Sequence, residues 1–160
     1  MNTCDKTCPF LYRKAERDDV ETLTELLCEL YEDHPYEPLL AENKALLADE
    51  KQAFFLAYDN EMPIGVSHVA LRSEYVNGKE FDETAGYLEA VYVRKRYRLL
   101  GVASTFVTMC EDWARHNGCR EFLSDCLLDN TDSYHFHLKL GFIETERCIF
   151  FRKELAPAKR

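Results

Sequence analysis

The sequence predicts a single α/β domain over residues 1–160, with a mixed central sheet of about six to seven strands flanked by about four helices. A strand–helix–strand unit over residues 87–126 implies a parallel strand pair joined by a right-handed crossover. Two apolar runs on either side of Asp59-Asn60 predict an antiparallel hairpin. No repeat or Gly/Ser-rich linker divides the chain, so we expect one domain.

The first elements follow from a capping pattern and from helical periodicity. Residues 10–15, FLYRKA, predict a strand. Asp18 with Glu21 forms a capping-box pattern before leucines at helical spacing, which predicts a helix ending near Tyr31. Proline disfavours a helix interior, so the next helix is expected only after Pro38, over 39–49.

The remaining elements alternate between strand and helix. A polar connection with a turn at Asn77-Gly78 precedes a strand over 86–93. An apolar stripe predicts a helix from Gly101 to Asn117-Gly118. A strand over 121–128, a short helix from about Asn130 to Gly141, and one or two strands in the last segment, FIETERCIFFRKEL, complete the sheet.

The chain carries a formal net charge of -9, and its composition of 46% hydrophobic and 31% charged residues is that of a soluble globular protein. A nucleic-acid partner is disfavoured because it requires a basic face. A cationic ligand is favoured if the carboxylates line a cleft, although a solubilising acidic surface has the same composition. With no apolar run long enough to span a bilayer and no secretory signal, we expect a cytoplasmic protein without a membrane partner.

Seven cysteines form an odd count without disulfide-framework spacing. We expect those in apolar stretches to be reduced and to act as small hydrophobic side chains. Cys4 and Cys8 with His135 and His137 match no closed zinc pattern, so no metal is expected.

Four positive charges precede a glycine at the start of the 101–117 helix: Arg94, Lys95, Arg96 and Arg98. The first turn of a helix has unpaired N–H groups that bind anions. Gly101 permits close backbone approach, and the arginines add charge for a phosphate. A basic surface turn is the alternative. The dinucleotide and P-loop glycine patterns are both absent.

Several blocks in order carry a family resemblance. The segment RLLGVA (98–103) resembles the acetyl-CoA loop of the GCN5-related N-acetyltransferases, and HLKLGF (137–142) resembles their terminal helix-to-strand signature. With SEYVNG, YLEAVYV, SDCLLDN and LGFIETER, the chain from about Phe10 to Leu155 resembles the aminoglycoside 6'-N-acetyltransferases. The resemblance implies their fold with a splayed parallel pair, acetyl-CoA as co-substrate, a cationic aminoglycoside and a homodimer formed through the C-terminal strands.

The resemblance also implies the cofactor site. The pantetheine arm would lie along the 91–93 strand, and the pyrophosphate would lie on the amides of 99–104. Asn130, which starts the last helix, would make a further contact with the cofactor. A helix N-cap is the alternative role for Asn130. The residues are Val91, Tyr92, Val93, Arg98, Leu99, Leu100, Gly101, Val102, Ala103, Ser104 and Asn130.

Two carboxylates in adjacent parallel strands are the candidate catalytic and substrate-binding groups. Glu89 and Asp125 both interrupt apolar strands, where a carboxylate is unfavourable unless it faces a cleft or a partner. Both match family residues that bind the polycationic substrate, and either can take the proton that an ammonium must lose before attack. Asp125 is the preferred base, and buried ion pairs are the alternative for both.

Further substrate contacts implied by the resemblance are Tyr31, His34, Tyr75 and Glu146. Tyr31 replaces the tryptophan common in the family, which keeps an aromatic wall for a sugar ring. His137 occupies a position where many members have a tyrosine that protonates the leaving thiolate, so it is a candidate acid, with a structural histidine as the alternative.

Other activities are compatible with the same residues. An enzyme of this fold can act on a polyamine, another small amine or a protein N-terminus. A non-catalytic acyl-CoA-binding protein would not need two site carboxylates. A covalent mechanism through Cys126 lacks an identifiable histidine partner.

Overall fold

Five strands form one mixed sheet in the order β1-β2-β3-β4-β5 over the residues that the computed structural model describes, 9–74, 78–80 and 83–155. The first four strands are antiparallel neighbours, and β4 pairs in parallel with β5. The strands are β1 (Leu11–Lys14), β2 (Gln52–Asp59), β3 (Met62–Arg72), β4 (Ala85–Val93) and β5 (Phe122–Leu123). The predicted mixed α/β sheet is confirmed.

Four α-helices accompany the sheet in the described residues: α1 (Val20–Leu30), α2 (Tyr36–Ala48), α3 (Val102–His116) and α4 (Thr131–Lys139). The chain divides into two compact units, Met1–Asp125 and Cys126–Arg160. The first contains the sheet and α1 to α3, and the second contains α4. The predicted residues Cys4, Cys8, Tyr75 and Asn77 lie outside the described residues.

The core of the first unit lies where α1 and α2 pack on the sheet. Leu23 and Leu26 of α1 and Phe54 and Leu56 of β2 are completely buried. Successive residues of a strand face opposite sides of a sheet. Val66 belongs to this cluster, and a Cβ at the preceding Gly65 would lie 3.0 Å from Phe106 of α3. Helix α3 therefore covers the other face.

Two geometrical irregularities shape β4. Its register with β3 skips Glu89, because Ala90 pairs with His68 and Leu88 pairs with Val69. Such a bulge changes the direction in which a side chain points and often lies near an active site. On its other edge β4 pairs with β5 at Gly86 and Tyr87 alone. In the described residues the parallel pair therefore parts after Tyr87, as the resemblance implied.

The number of strands predicted from the sequence is wrong. Residues 142–155 form no strand in the described part of the chain, so the sheet has five strands rather than six to seven. A strand exists through the hydrogen-bonded ladder with its neighbour, and apolar β-forming residues do not supply that neighbour. Ile149, Phe150 and Phe151 are 81–93% exposed.

Two helix starts also differ from the prediction. Helix α2 begins at Tyr36 and includes Pro38, which is tolerated because first-turn N–H groups have no intrahelical partner. The capping box before α1 is formed by Glu16 and Asp19 rather than Asp18 and Glu21, with the Glu16 amide donating to Asp19 at 2.7 Å. A 3-10 turn over Arg17–Asp19 causes this shift.

Candidate active site

The open edge of β4 is the first part of the site. Val91, Tyr92 and Val93 pair with Ser67, Val66 and Gly65 of β3 on one side. Their other edge lies beyond the two-residue ladder with β5. A strand edge without a ladder offers backbone N–H and C=O groups to an extended ligand. The geometry thus suits the predicted binding of a pantetheine-like arm.

The turn between β4 and α3 has a backbone suited to an anion. Gly101 has a φ of 86° and Leu99 a φ of 62°. A left-handed conformation is costly for a bulky residue and is typical of functional turns. Leu99 is fully exposed, so core packing does not explain it. No side chain caps α3, and the amides of its first turn, Val102–Ser104, remain for a ligand.

The basic run before this turn is partly engaged within the protein. Arg94 donates to both carboxylate oxygens of Glu29 on α1, at 2.7 Å for the closest contact, and Tyr92 donates to the same carboxylate at 2.8 Å. Arg98 donates to the Val93 carbonyl at 2.9 Å. Arg94 is therefore already paired with a carboxylate, and Arg98 is anchored to the backbone of β4.

Glu89 and Asp125 each have a specific partner. Arg72 at the end of β3 donates to both oxygens of Glu89, at 2.8 and 2.6 Å. The guanidinium carbon of Arg72 lies 3.8 Å from the ring centre of Tyr87, and the Tyr87 hydroxyl donates to Asp125. Sequence reasoning identified both carboxylates but missed Arg72 and Tyr87.

Tyr31 belongs to the same acidic region. Burial, followed by the negative charges of Glu89, Glu42 and Asp125, raises the pKa of its hydroxyl. Its ring lies 5.7 Å from that of His34, whose amide donates to the Tyr31 carbonyl. The structure therefore brings Tyr31 into the field of both predicted carboxylates and adds Glu42 of α2, which sequence reasoning missed.

Asn130, His137 and Glu146 lie in the second unit. Asn130 is the N-cap of α4 and accepts from the Ser133 amide at 3.1 Å. His137 Nδ1 lies 2.7 Å from the Ser133 carbonyl, so that nitrogen carries a proton as donor. Glu146 is exposed.

A sheet with parted parallel strands, an uncapped helix start after one of them and carboxylates beside the gap is the arrangement of an acyl-CoA-dependent N-acyltransferase. The chain belongs to the acetyltransferase (GNAT) family, whose sequence model matches residues 19–142. That match extends across both compact units. No helix in the described residues is long and apolar enough to cross a membrane.

Two named proteins and one solved structure are similar to this chain over most of its length. The chain is 41% identical over 127 residues to an aminoglycoside N(6')-acetyltransferase type 1 from Acinetobacter genomosp. 13, covering 79% of this chain and 86% of that protein. It is 34% identical over 141 residues to the Salmonella typhimurium protein of the same name, covering 88% and 97%. The solved structure of AAC(6')-Iy with the bisubstrate analogue CoA-S-monomethyl-acetylneamine superposes with a TM-score of 0.85 at 33% identity, covering 91% and 99%.

Proposed function

We propose that this protein is an acetyl-CoA-dependent aminoglycoside 6'-N-acetyltransferase that confers antibiotic resistance by direct acetyl transfer to the 6'-amine. The observation that carries the proposal is the acidic group around Tyr31, in which Asp125 and Glu42 add negative charge beyond the Arg72–Glu89 ion pair. An anionic region of this kind attracts an ammonium-rich sugar. The names of the relatives support the same substrate class.

Acetyl-CoA supplies an activated acyl group as co-substrate. The positive φ angles at Leu99 and Gly101 and the uncapped start of α3 fit its pyrophosphate, with Leu100 and Val102–Ser104 completing the turn. Val91–Val93 would hold the pantetheine arm as an added strand, and a backbone N–H of β4 would stabilise charge on the acyl oxygen.

We assign substrate binding to Tyr31, His34, Glu89 and Asp125, with Asp125 as the base. Tyr31 and His34 provide an aromatic wall for a sugar ring. Tyr75 and Glu146 remain predicted substrate contacts. Asn130 and His137 remain predicted cofactor contact and acid, but their contacts with Ser133 favour structural roles for both.

The decisive experiment is a CoA-thiol release assay with purified protein. Tobramycin and kanamycin should release CoA. A matched pair tests the position of transfer, because neomycin carries a 6'-amine where paromomycin carries a hydroxyl. We expect acetylation of the 6'-nitrogen of neomycin and none at that position of paromomycin, checked by NMR of the products. If polyamines or peptide N-termini react and no aminoglycoside does, the function is wrong while the enzyme class stands.

We further propose that the chain acts as one catalytic domain and as a homodimer. The extent of the family match supports the single domain. Exposure of Ile149, Phe150 and Phe151 supports an interface at the C-terminal segment, because large apolar groups favour burial. Light scattering should give twice the 18.7 kDa chain mass, and Phe150→Ser with Phe151→Ser should give the single mass.

A further inference from the structure

The two site carboxylates are connected through a tyrosine and an arginine. Arg72 binds both oxygens of Glu89, and its guanidinium covers the ring of Tyr87. Tyr87 lies two residues before Glu89 on β4 and donates its hydroxyl to Asp125 Oδ1. The four side chains therefore form one continuous chain of contacts, Glu89–Arg72–Tyr87–Asp125, within the first compact unit.

The two carboxylates differ in the charge of the group that each one contacts. Glu89 has both oxygens occupied by a cation, so the pair with Arg72 has no net charge. Asp125 accepts from a neutral hydroxyl, so it keeps its full negative charge while one oxygen is fixed in direction. A charge held at a fixed position is the requirement for a base or for binding an ammonium group.

We propose that Tyr87 is a positioning residue for Asp125, and that Arg72 withdraws Glu89 from proton transfer, so that Asp125 alone takes the proton of the substrate amine. This inference rests on the proposed function. The ammonium gives one proton to Asp125 Oδ2, and the freed amine nitrogen then bonds to the acyl carbon. The C–S bond breaks with its electron pair on sulfur, and the second proton that nitrogen loses passes to the thiolate. The Tyr87 hydroxyl keeps Oδ1 occupied and turns Oδ2 toward the amine.

The surroundings of Tyr87 keep its hydroxyl protonated, so that it can donate a hydrogen bond to Asp125. Burial, then the hydrogen bond to Asp125 and its charge, raise the pKa of the Tyr87 hydroxyl, whereas the charge of Arg72 lowers it. The hydroxyl therefore stays protonated wherever the enzyme works. The other titratable groups acting on this pair are Glu89 of β4 and, through its interaction with Asp125, Tyr31 after α1.

Tyr87→Phe is the sharpest test, because the ring is 8% exposed and phenylalanine retains its packing and its contact with Arg72. Loss of the donor leaves Oδ1 of Asp125 unheld, so the carboxylate is less well placed to take the proton. For tobramycin, kcat should fall about tenfold with the KM for acetyl-CoA unchanged.

Tyr58→Phe is the matched control. Tyr58 is also a partly buried sheet tyrosine, but its hydroxyl accepts from Arg13 at 3.0 Å. This variant should leave kcat as in the wild type. An unchanged kcat in Tyr87→Phe overturns the inference. Failure of the wild type to acetylate any aminoglycoside is a separate outcome, which overturns the proposed function instead.

A second pair of variants tests the division between the carboxylates even if Tyr87→Phe does not fold. Asp125→Asn should lower kcat at least about 100-fold, whereas Glu89→Gln should lower it less than about tenfold. Equal losses in the two variants overturn the assignment of Asp125 as the sole proton acceptor.

Discussion

Arg72 holds Glu89 across the register break between β3 and β4, with a guanidinium nitrogen 2.8 Å from one carboxylate oxygen and another 2.6 Å from the second. Glu89 is the residue that the register skips, and the same guanidinium lies over the ring of Tyr87, two residues earlier on β4. The strand with the proposed pantetheine-binding edge also carries Glu89, a proposed substrate contact, and Arg72 holds that carboxylate against β3.

Arg72→Ala should lower the free energy of unfolding by about 1 kcal/mol, because it leaves Glu89 unpaired at 22% side-chain exposure and removes the cover of Tyr87. Arg72→Lys should recover part of this loss, since lysine keeps the charge but not the two-pronged contact. Urea denaturation measures both.

Arg115→Ala is the control for this pair of variants. Arg115 likewise makes two ion-pair contacts, here with the two carboxylates of Glu111 and Asp112, but its side chain is 60% exposed. The expected change lies within about 0.5 kcal/mol. An equal effect at Arg72 and Arg115 would mean that the Arg72–Glu89 contact contributes no more than a surface ion pair.

Gly101→Ala should weaken acetyl-CoA binding more than it weakens the fold. A Cβ at Gly101 has no atom within 4 Å, so the cost is the strain of a φ of 86°, about 1 kcal/mol. Gly118, at the other end of α3, has a φ of 82° and equally open space. Both alanine variants should lose similar stability, but Gly101→Ala alone should raise the KM for acetyl-CoA several-fold. Equal KM values would remove this turn from the cofactor site.

The parts of this site that depend on residues adjacent in the sequence could be predicted. The glycine turn before α3 and the carboxylates that interrupt apolar runs are visible as local patterns. The predicted strand over 121–128 is wrong in length, because β5 ends at Leu123 and Asp125 lies beyond it. Arg72 and Tyr87 were missed because their contacts depend on the β3–β4 register and on the place where β4 and β5 part. The C-terminal strands were predicted wrongly for the opposite reason, since an apolar run shows β propensity but not a partner.

Gly86→Ala should disturb the short ladder after which β4 and β5 part. A Cβ there would lie 2.5 Å from the Ala114 Cβ of α3 and 2.9 Å from Phe122 of β5, so helix and strand would have to move. We expect a loss of about 2 kcal/mol in unfolding free energy. Combining it with Ala114→Gly should cost less than the sum of the single changes, because one clash disappears. Strict additivity in urea denaturation would contradict this close packing.

His68 should make stability fall in mild acid. Burial, and then the charge of Arg72, lower the pKa of its imidazole to about 4, while the ring stacks 4.0 Å from that of Phe54 and bonds Gln52 at 2.8 Å. The unfolded chain has a histidine pKa of about 6.5. The neutral ring therefore contributes stability that is complete above about pH 6.5 and is lost progressively toward pH 4.

His68→Phe isolates this contribution, because phenylalanine keeps a ring against Phe54 but does not titrate. Loss of the Gln52 contact lowers the stability of the variant by a constant amount, whereas protonation penalises the wild type alone. The stability of the wild type relative to the variant should therefore fall by roughly 3 kcal/mol between pH 7 and pH 4. Urea denaturation of both proteins across that range measures the difference. A difference that stays constant with pH would show that His68 is not held neutral by the fold.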